Sequence, residues 1–113
     1  DAENLDDFEI VISDNSDMDD TYEYAKELQK TGVNVIYYKN PKKGFYNSIE
    51  ALKKGNGELL KLHNDYSKFK KGAFNTIVKQ AKENLSYKPM IFYSNGTLKL
   101  KKSIIYFNEK NKF

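Results

Sequence analysis

Two short apolar runs, residues 8–13 (FEIVIS) and 33–39 (VNVIYYK), stand on either side of one helix-period stretch. The same alternation continues down the chain, and it constrains the fold more than any other feature. In the first run Phe8, Ile10 and Ile12 share one face and Val11 the other, as a buried strand requires. Between the runs Thr21, Tyr24, Ala25 and Leu28 mark one helical face, and Gly32 fits the residue just past a helix end. Phe45, Ile49 and Leu52 then predict a short helix closed by Gly55. Residues 57–65 (GELLKLHND) read as a third strand. Ala73, Phe74, Ile77, Val78 and Ala81 form the apolar face of a longer helix ending near Asn84. Residues 88–96 read as a fourth strand with Pro89 at its start, where a missing N–H matters least. The last stretch alternates as a hairpin or edge piece would. Strand–helix alternation of this kind predicts a single α/β domain over residues 1–113, with a mainly parallel sheet and flanking helices joined by right-handed crossovers.

Charge and composition narrow the function classes. All 19 basic residues are lysine, against 16 acids, for a net charge of +3. Without arginine the bidentate fork that reads guanine or grips phosphate is absent, so no nucleic-acid partner is expected. No cysteine is present, which removes disulfides, thiolate metal sites and a cysteine nucleophile. No apolar run reaches the length of a membrane span, and the acidic start DAENLDD is unlike a targeting segment. The expectation is a cytoplasmic protein, with the inner membrane face open to a longer form of it.

In open α/β sheets ligands sit beyond the carboxyl ends of the strands. Three polar groups are predicted to meet there. Asp14, Asn15 and Ser16 follow the first strand. The loop Asn40-Pro41-Lys42-Lys43-Gly44 follows the second and runs into Asn47. His63, Asn64 and Asp65 follow the third. Asp17, Asp19 and Asp20 read instead as helix caps and first-turn acids favoured by the helix dipole. Gly44 lets a ligand approach the backbone, and Lys42 or Lys43 can balance phosphate charge. A carboxylate with neighbouring carbonyl oxygens at this edge could hold Mg²⁺ or Mn²⁺, which needs only one or two protein carboxylates when diphosphate oxygens complete its shell. His63, the one histidine, reads as structural.

These residues resemble the nucleotide-sugar half of the family 2 glycosyltransferases, which have the GT-A fold. The resemblance covers about residues 8–96 and is most specific at SDNS and KKGNGELLKLHND. It implies a partial GT-A, Rossmann-like domain that binds a nucleoside diphosphate sugar, with a UDP-sugar favoured, and transfers a hexosyl group with inversion to a glycan or lipid-linked acceptor in bacterial polysaccharide synthesis. Carried over, Asp14 would contact the base or ribose, with Asn15 and Ser16 beside it. Asn40, Lys43, Gly44 and Asn47 would shape the nucleotide loop, and Asp65 would be the carboxylate left from an Asp-x-Asp metal motif. The family's first strand–helix unit has no counterpart before residue 8, and no residue here takes the general base's role. The expectation is therefore an internal fragment, inactive alone, whose exposed sheet edge could pair with a second copy. Two alternatives use the same residues. One is a response-regulator-like receiver with Asp65 as phosphoacceptor, aided by Asp14, Ser94 and Lys101 or Lys102. The other is a non-catalytic scaffold of the transferase fold.

Overall fold

The computed structural model describes residues 2–64, 66–87, 89–91 and 104–106. Strand β1 (Ile10–Asp14) and strand β2 (Val35–Lys39) form a parallel pair in the register Ile10↔Val35 through Asp14↔Lys39. Helix α1 (Asp20–Lys30) makes the crossover between them. Ala25 on α1 and Val35 on β2 are the buried apolar residues of the described chain, at 1% and 7% exposure. Thr21 and Leu28 are half-buried beside Ala25, as the helical face predicts. Tyr24 is a correction: it points outward and is exposed. The end of α1 is set by Gly32 at φ 89°, and the Gln29 amide donates to the Val35 carbonyl at 2.9 Å, tying the helix end to the start of β2.

Helix α2 (Asn47–Lys54) packs along β1 and ends at Gly55. Its inward residues are Ala51 and Leu52, both half-buried. Phe45 lies before the helix rather than in it and is fully exposed, and Ile49 is exposed as well. Two of the three residues expected to face the core therefore face solvent. After α2 the chain returns to the amino end of β1, where the Asn56 N–H donates to the Glu9 carboxylate.

From that point the structure departs from the expected third strand. Residues 57–64 take no ladder partner, and Leu60 and Leu62 are exposed. Alternating leucines supply a strand's pattern but not its hydrogen bonds; those need a neighbouring edge at the right distance. Helix α3 (Ala73–Asn84) follows as predicted, with its apolar residues half-buried. It docks on the N-terminal segment: the Phe74 ring meets Phe8 edge-on at 4.8 Å, and Lys82 pairs with Asp7 at 2.9 Å. Strand β3 (Pro89–Ile91) begins at Pro89, as expected. It pairs antiparallel with β4 (Ile104–Tyr106) in a separate two-stranded sheet. The domain is α/β, with a small parallel sheet and flanking helices in keeping with a partial GT-A, Rossmann-like fold.

Candidate functional site

Asp14 closes β1 and is 6% exposed. Its Oδ1 accepts from the Ser16 backbone N–H at 2.9 Å; its Oδ2 accepts from the Tyr37 hydroxyl at 2.7 Å and from Lys39 Nζ at 3.1 Å. Burial alone would push this carboxyl up. The hydrogen bonds from Ser16, Tyr37 and Lys39 act the other way and win, holding it far below the ordinary carboxylate range. For Tyr37, burial and the bond to Asp14 both act upward, and its hydroxyl is pushed up to about 12. The negative charge is thus fixed at the sheet edge, with both carboxylate oxygens engaged inside the protein.

The second loop is fastened to the end of β1 by Asn40 and Asn47. Asn40, 3% exposed, donates its N–H to the Asp14 carbonyl at 2.8 Å, and its Oδ1 accepts from the Lys42 N–H at 3.0 Å. Asn47, at the first turn of α2, donates Nδ2 to the Ser13 carbonyl at 2.7 Å. Its Oδ1 accepts from the Ser13 hydroxyl at 2.7 Å and from Asn40 Nδ2 at 3.1 Å. In a parallel ladder alternate residues turn their backbone groups to opposite sides. Asp14 faces β2, so the Ser13 carbonyl faces away from it, and Asn47 satisfies that group. One asparagine so clamps β1, the β2 loop and α2 together.

Around this clamp lies the surface a ligand could reach. An open cavity of about 360 Å³ is lined by Asn15, Gly44, Phe45, Asn47 and Ser48. Gly44 has φ 96°, and a Cβ built there would meet nothing within 4 Å, so the position is held for its backbone conformation rather than for space. The Asn15 amide reaches the Lys42 and Gly44 carbonyls at 3.5 Å, the outer limit of a hydrogen bond. Lys43 Nζ donates to the Asn15 carbonyl at 2.6 Å and pairs with Asp17 at 2.5 Å. Both partners of that pair are exposed, and the lysine holds the Asp17 carboxyl below its ordinary value.

The structure therefore brings together Asp14, Asn15, Ser16, Asn40, Lys43, Gly44 and Asn47 on one edge. The third group does not join them as a strand end. His63 stacks on Phe69 at 4.3 Å, and its Nε2 lies 3.0 Å from the Ser67 carbonyl, a structural role. Asp65, the expected metal ligand, lies outside the described residues. So do Ser94, Lys101 and Lys102 of the receiver reading. Among the described residues no three His, Cys, Asp or Glu side chains gather as a metal site.

Asp17, Asp19 and Asp20 are exposed around the start of α1. Asp19 occupies the cap position without a side-chain cap bond, so its contribution there is electrostatic. Ser13, Tyr37 and Lys39 are the residues that sequence reasoning missed. A signal existed for Lys39: if two parallel strands end level, the acid closing one and the lysine closing the other become direct neighbours. A second cavity of about 310 Å³ lies between the N-terminal segment and α3, where Asp7, Asn75 and Lys82 contribute to its wall; it holds none of the expected site residues.

Two polar loops at the carboxyl edge of a parallel pair lie where open α/β sheets bind their ligands. The model of glycosyl transferase family 2 matches residues 2–87, and the chain belongs to that family. Neither the curated proteins nor the solved structures searched gave a significant match. A glycosyltransferase domain needs no phosphoacceptor, which leaves the receiver reading without a role for its residues.

Proposed function

We propose that this chain binds the donor of a glycosyltransferase, a nucleoside diphosphate sugar, in the cavity beside Asn15 and Gly44. One observation carries the reading: Asn40 and Asn47 tie the loop after β2 to the end of β1, and Lys43 joins it to the loop after β1, next to an open cavity. A UDP-sugar is the favoured donor. Asn15 and the Gly44 backbone would meet the nucleoside, and Lys43, once released from Asp17, would face the diphosphate. Asp14 acts at one remove. Its carboxylate fixes the turn at Ser16, and that turn positions Asn15. Asp65 with donor oxygens would hold Mn²⁺ or Mg²⁺, and the cation supplies charge stabilisation of the leaving diphosphate.

The reaction is transfer of a hexosyl group to the hydroxyl of a glycan or lipid-linked acceptor, with inversion, in bacterial polysaccharide synthesis. It requires a base opposite the leaving group, and this chain's described residues offer none at the cavity. The expected setting is the cytoplasm, at the inner face of the membrane. Among the described residues no helix is long and apolar enough to cross a membrane. Along β1 the edge away from β2 pairs with no described strand; Asn47 takes its Ser13 carbonyl, so a second copy would add to the part before Ser13.

Calorimetric titration of UDP into the full-length gene product, with and without Mn²⁺, tests the donor reading. Binding that strengthens with Mn²⁺ and loses that increment in Asp65→Ala is expected. A folded protein that binds none of UDP, GDP and CDP would leave the non-catalytic scaffold in its place.

A further inference from the structure

Phe45 is the most exposed large apolar side chain described, at 101%, and it stands at the tip of the turn that Gly44 begins. Hydrophobic side chains of this size are ordinarily at least partly covered, and full exposure forgoes the gain of burying the ring. Its backbone is not free: the Asn47 N–H donates to the Gly44 carbonyl at 3.3 Å across it, and Asn47 is itself clamped to β1. The ring is thus carried on a fixed turn, beside a cavity, with no partner over its face among the described residues. Asn15 lines the same cavity, and its amide is only loosely engaged by two carbonyls at 3.5 Å. A flat apolar face and, in the same cavity, an amide that can both donate and accept suit a planar heterocycle with hydrogen-bonding edges. A diphosphate has no face to stack, and a sugar ring offers a puckered C–H face in place of a π-face.

Resting on the donor reading above, we infer that Phe45 is the stacking platform for the nucleobase of the donor, and that Asn15 meets the edge of the same base. The apolar face then gains its cover only when nucleotide binds. Stacking of a base on one aromatic side chain accounts for roughly a 5- to 150-fold change in affinity on truncation to alanine. Because every base has a π-face, Phe45 contributes affinity for any nucleotide, and discrimination among bases falls to Asn15.

The test uses the full-length gene product and three variants. Phe45→Ala is expected to weaken UDP binding roughly 5- to 150-fold in calorimetry, while inorganic diphosphate with Mn²⁺ binds as it does to the unchanged protein. Its urea midpoint should not move, since the side chain has no packing partner to lose. Phe45→Trp should retain UDP binding and, in a chain without tryptophan, provide an emission that UDP quenches relative to a wild-type titration. Asn15→Ala should change the preference among UDP, CDP and GDP more than Phe45→Ala does. UDP affinity unchanged in Phe45→Ala, or loss of diphosphate and UDP binding together, would overturn the platform while leaving the donor site standing. Failure of the unchanged protein to bind any of the three nucleotides would remove the donor reading itself, a distinct result.

Discussion

Residues 40–47 and residues 57–64 invite comparison, because both are lysine-bearing stretches flanking α2, and the first, with His63 and Asn64 at the end of the second, was expected at the ligand edge. The first is fixed. Asn40 is buried, bonds to the Asp14 backbone and joins Asn47 in one network with Ser13. Beyond α2 the second is held at its start by Glu9 and otherwise by short-range contacts, such as the stacking of His63 on Phe69. Its leucines at 60 and 62 lie 53% and 47% exposed. The lesson is one of partners rather than of composition. A loop becomes a site wall when strand ends offer it carbonyls to bind, whereas an apolar alternation without an edge to pair with remains an extended segment.

Removal of the clamp is the strongest way to break this contrast. Asn47→Ala deletes a donor to the Ser13 carbonyl and an acceptor for both the Ser13 hydroxyl and Asn40. The expected loss is about 2–4 kcal/mol in urea unfolding, since three hydrogen-bonding groups on Ser13 and Asn40 lose their partner. A loss no larger than that of a surface substitution would dissolve the distinction between the two regions.

Asp14→Asn comes next, at about 1–3 kcal/mol, because charge-assisted bonds from Tyr37 and Lys39 lose their charged acceptor. The same group sets a pH dependence. Its folded value lies below its ordinary 3.8, so it contributes stability that is fully present above that value and is lost as pH falls below it. Unfolding midpoints of the unchanged protein should therefore drop on acidification below about 4, and Asp14→Asn should flatten that drop.

Tyr37 sharpens the picture at the other end of the scale. Its hydroxyl is raised from 10.0 to about 12, so its share of stability is present below pH 10 and lost as pH rises through 12. Tyr37→Phe should remove that alkaline component while lowering the neutral-pH midpoint less than Asn47→Ala does. The smallest effect belongs to the other region. Leu60→Ser and Leu62→Ser should each stay within about 0.5 kcal/mol of the unchanged protein, as exposed substitutions do.

Much of the clamped region was legible in the sequence. The acid after the first strand, the Asn-Pro-Lys-Lys-Gly loop and Asn47 all carried spacing that a sheet edge makes sense of, and the structure gathers them. What sequence could not show was the division of labour among them. Asp14 reads as an exposed ligand contact until the register places Lys39 directly opposite and Tyr37 within reach of its carboxylate. Register is a property of two strands together, and neither states it alone. Phe45 shows the converse error. Helical spacing with Ile49 and Leu52 suggested core, yet the helix begins at Asn47 and leaves the ring outside it. The third strand failed for a reason local pattern never contains, since a strand exists only when an edge receives it.

The central claim is that the nucleotide occupies the cavity between the two clamped loops, and amide chemical-shift mapping of the ¹⁵N-labelled full-length protein during UDP titration with Mn²⁺ tests it most directly. The expected result is that the largest saturable shifts fall on Asn15, Ser16 and residues 43–48. Shifts centred instead on Asp7, Asn75 and Lys82, at the cavity beside α3, or no saturable shift anywhere, would contradict it.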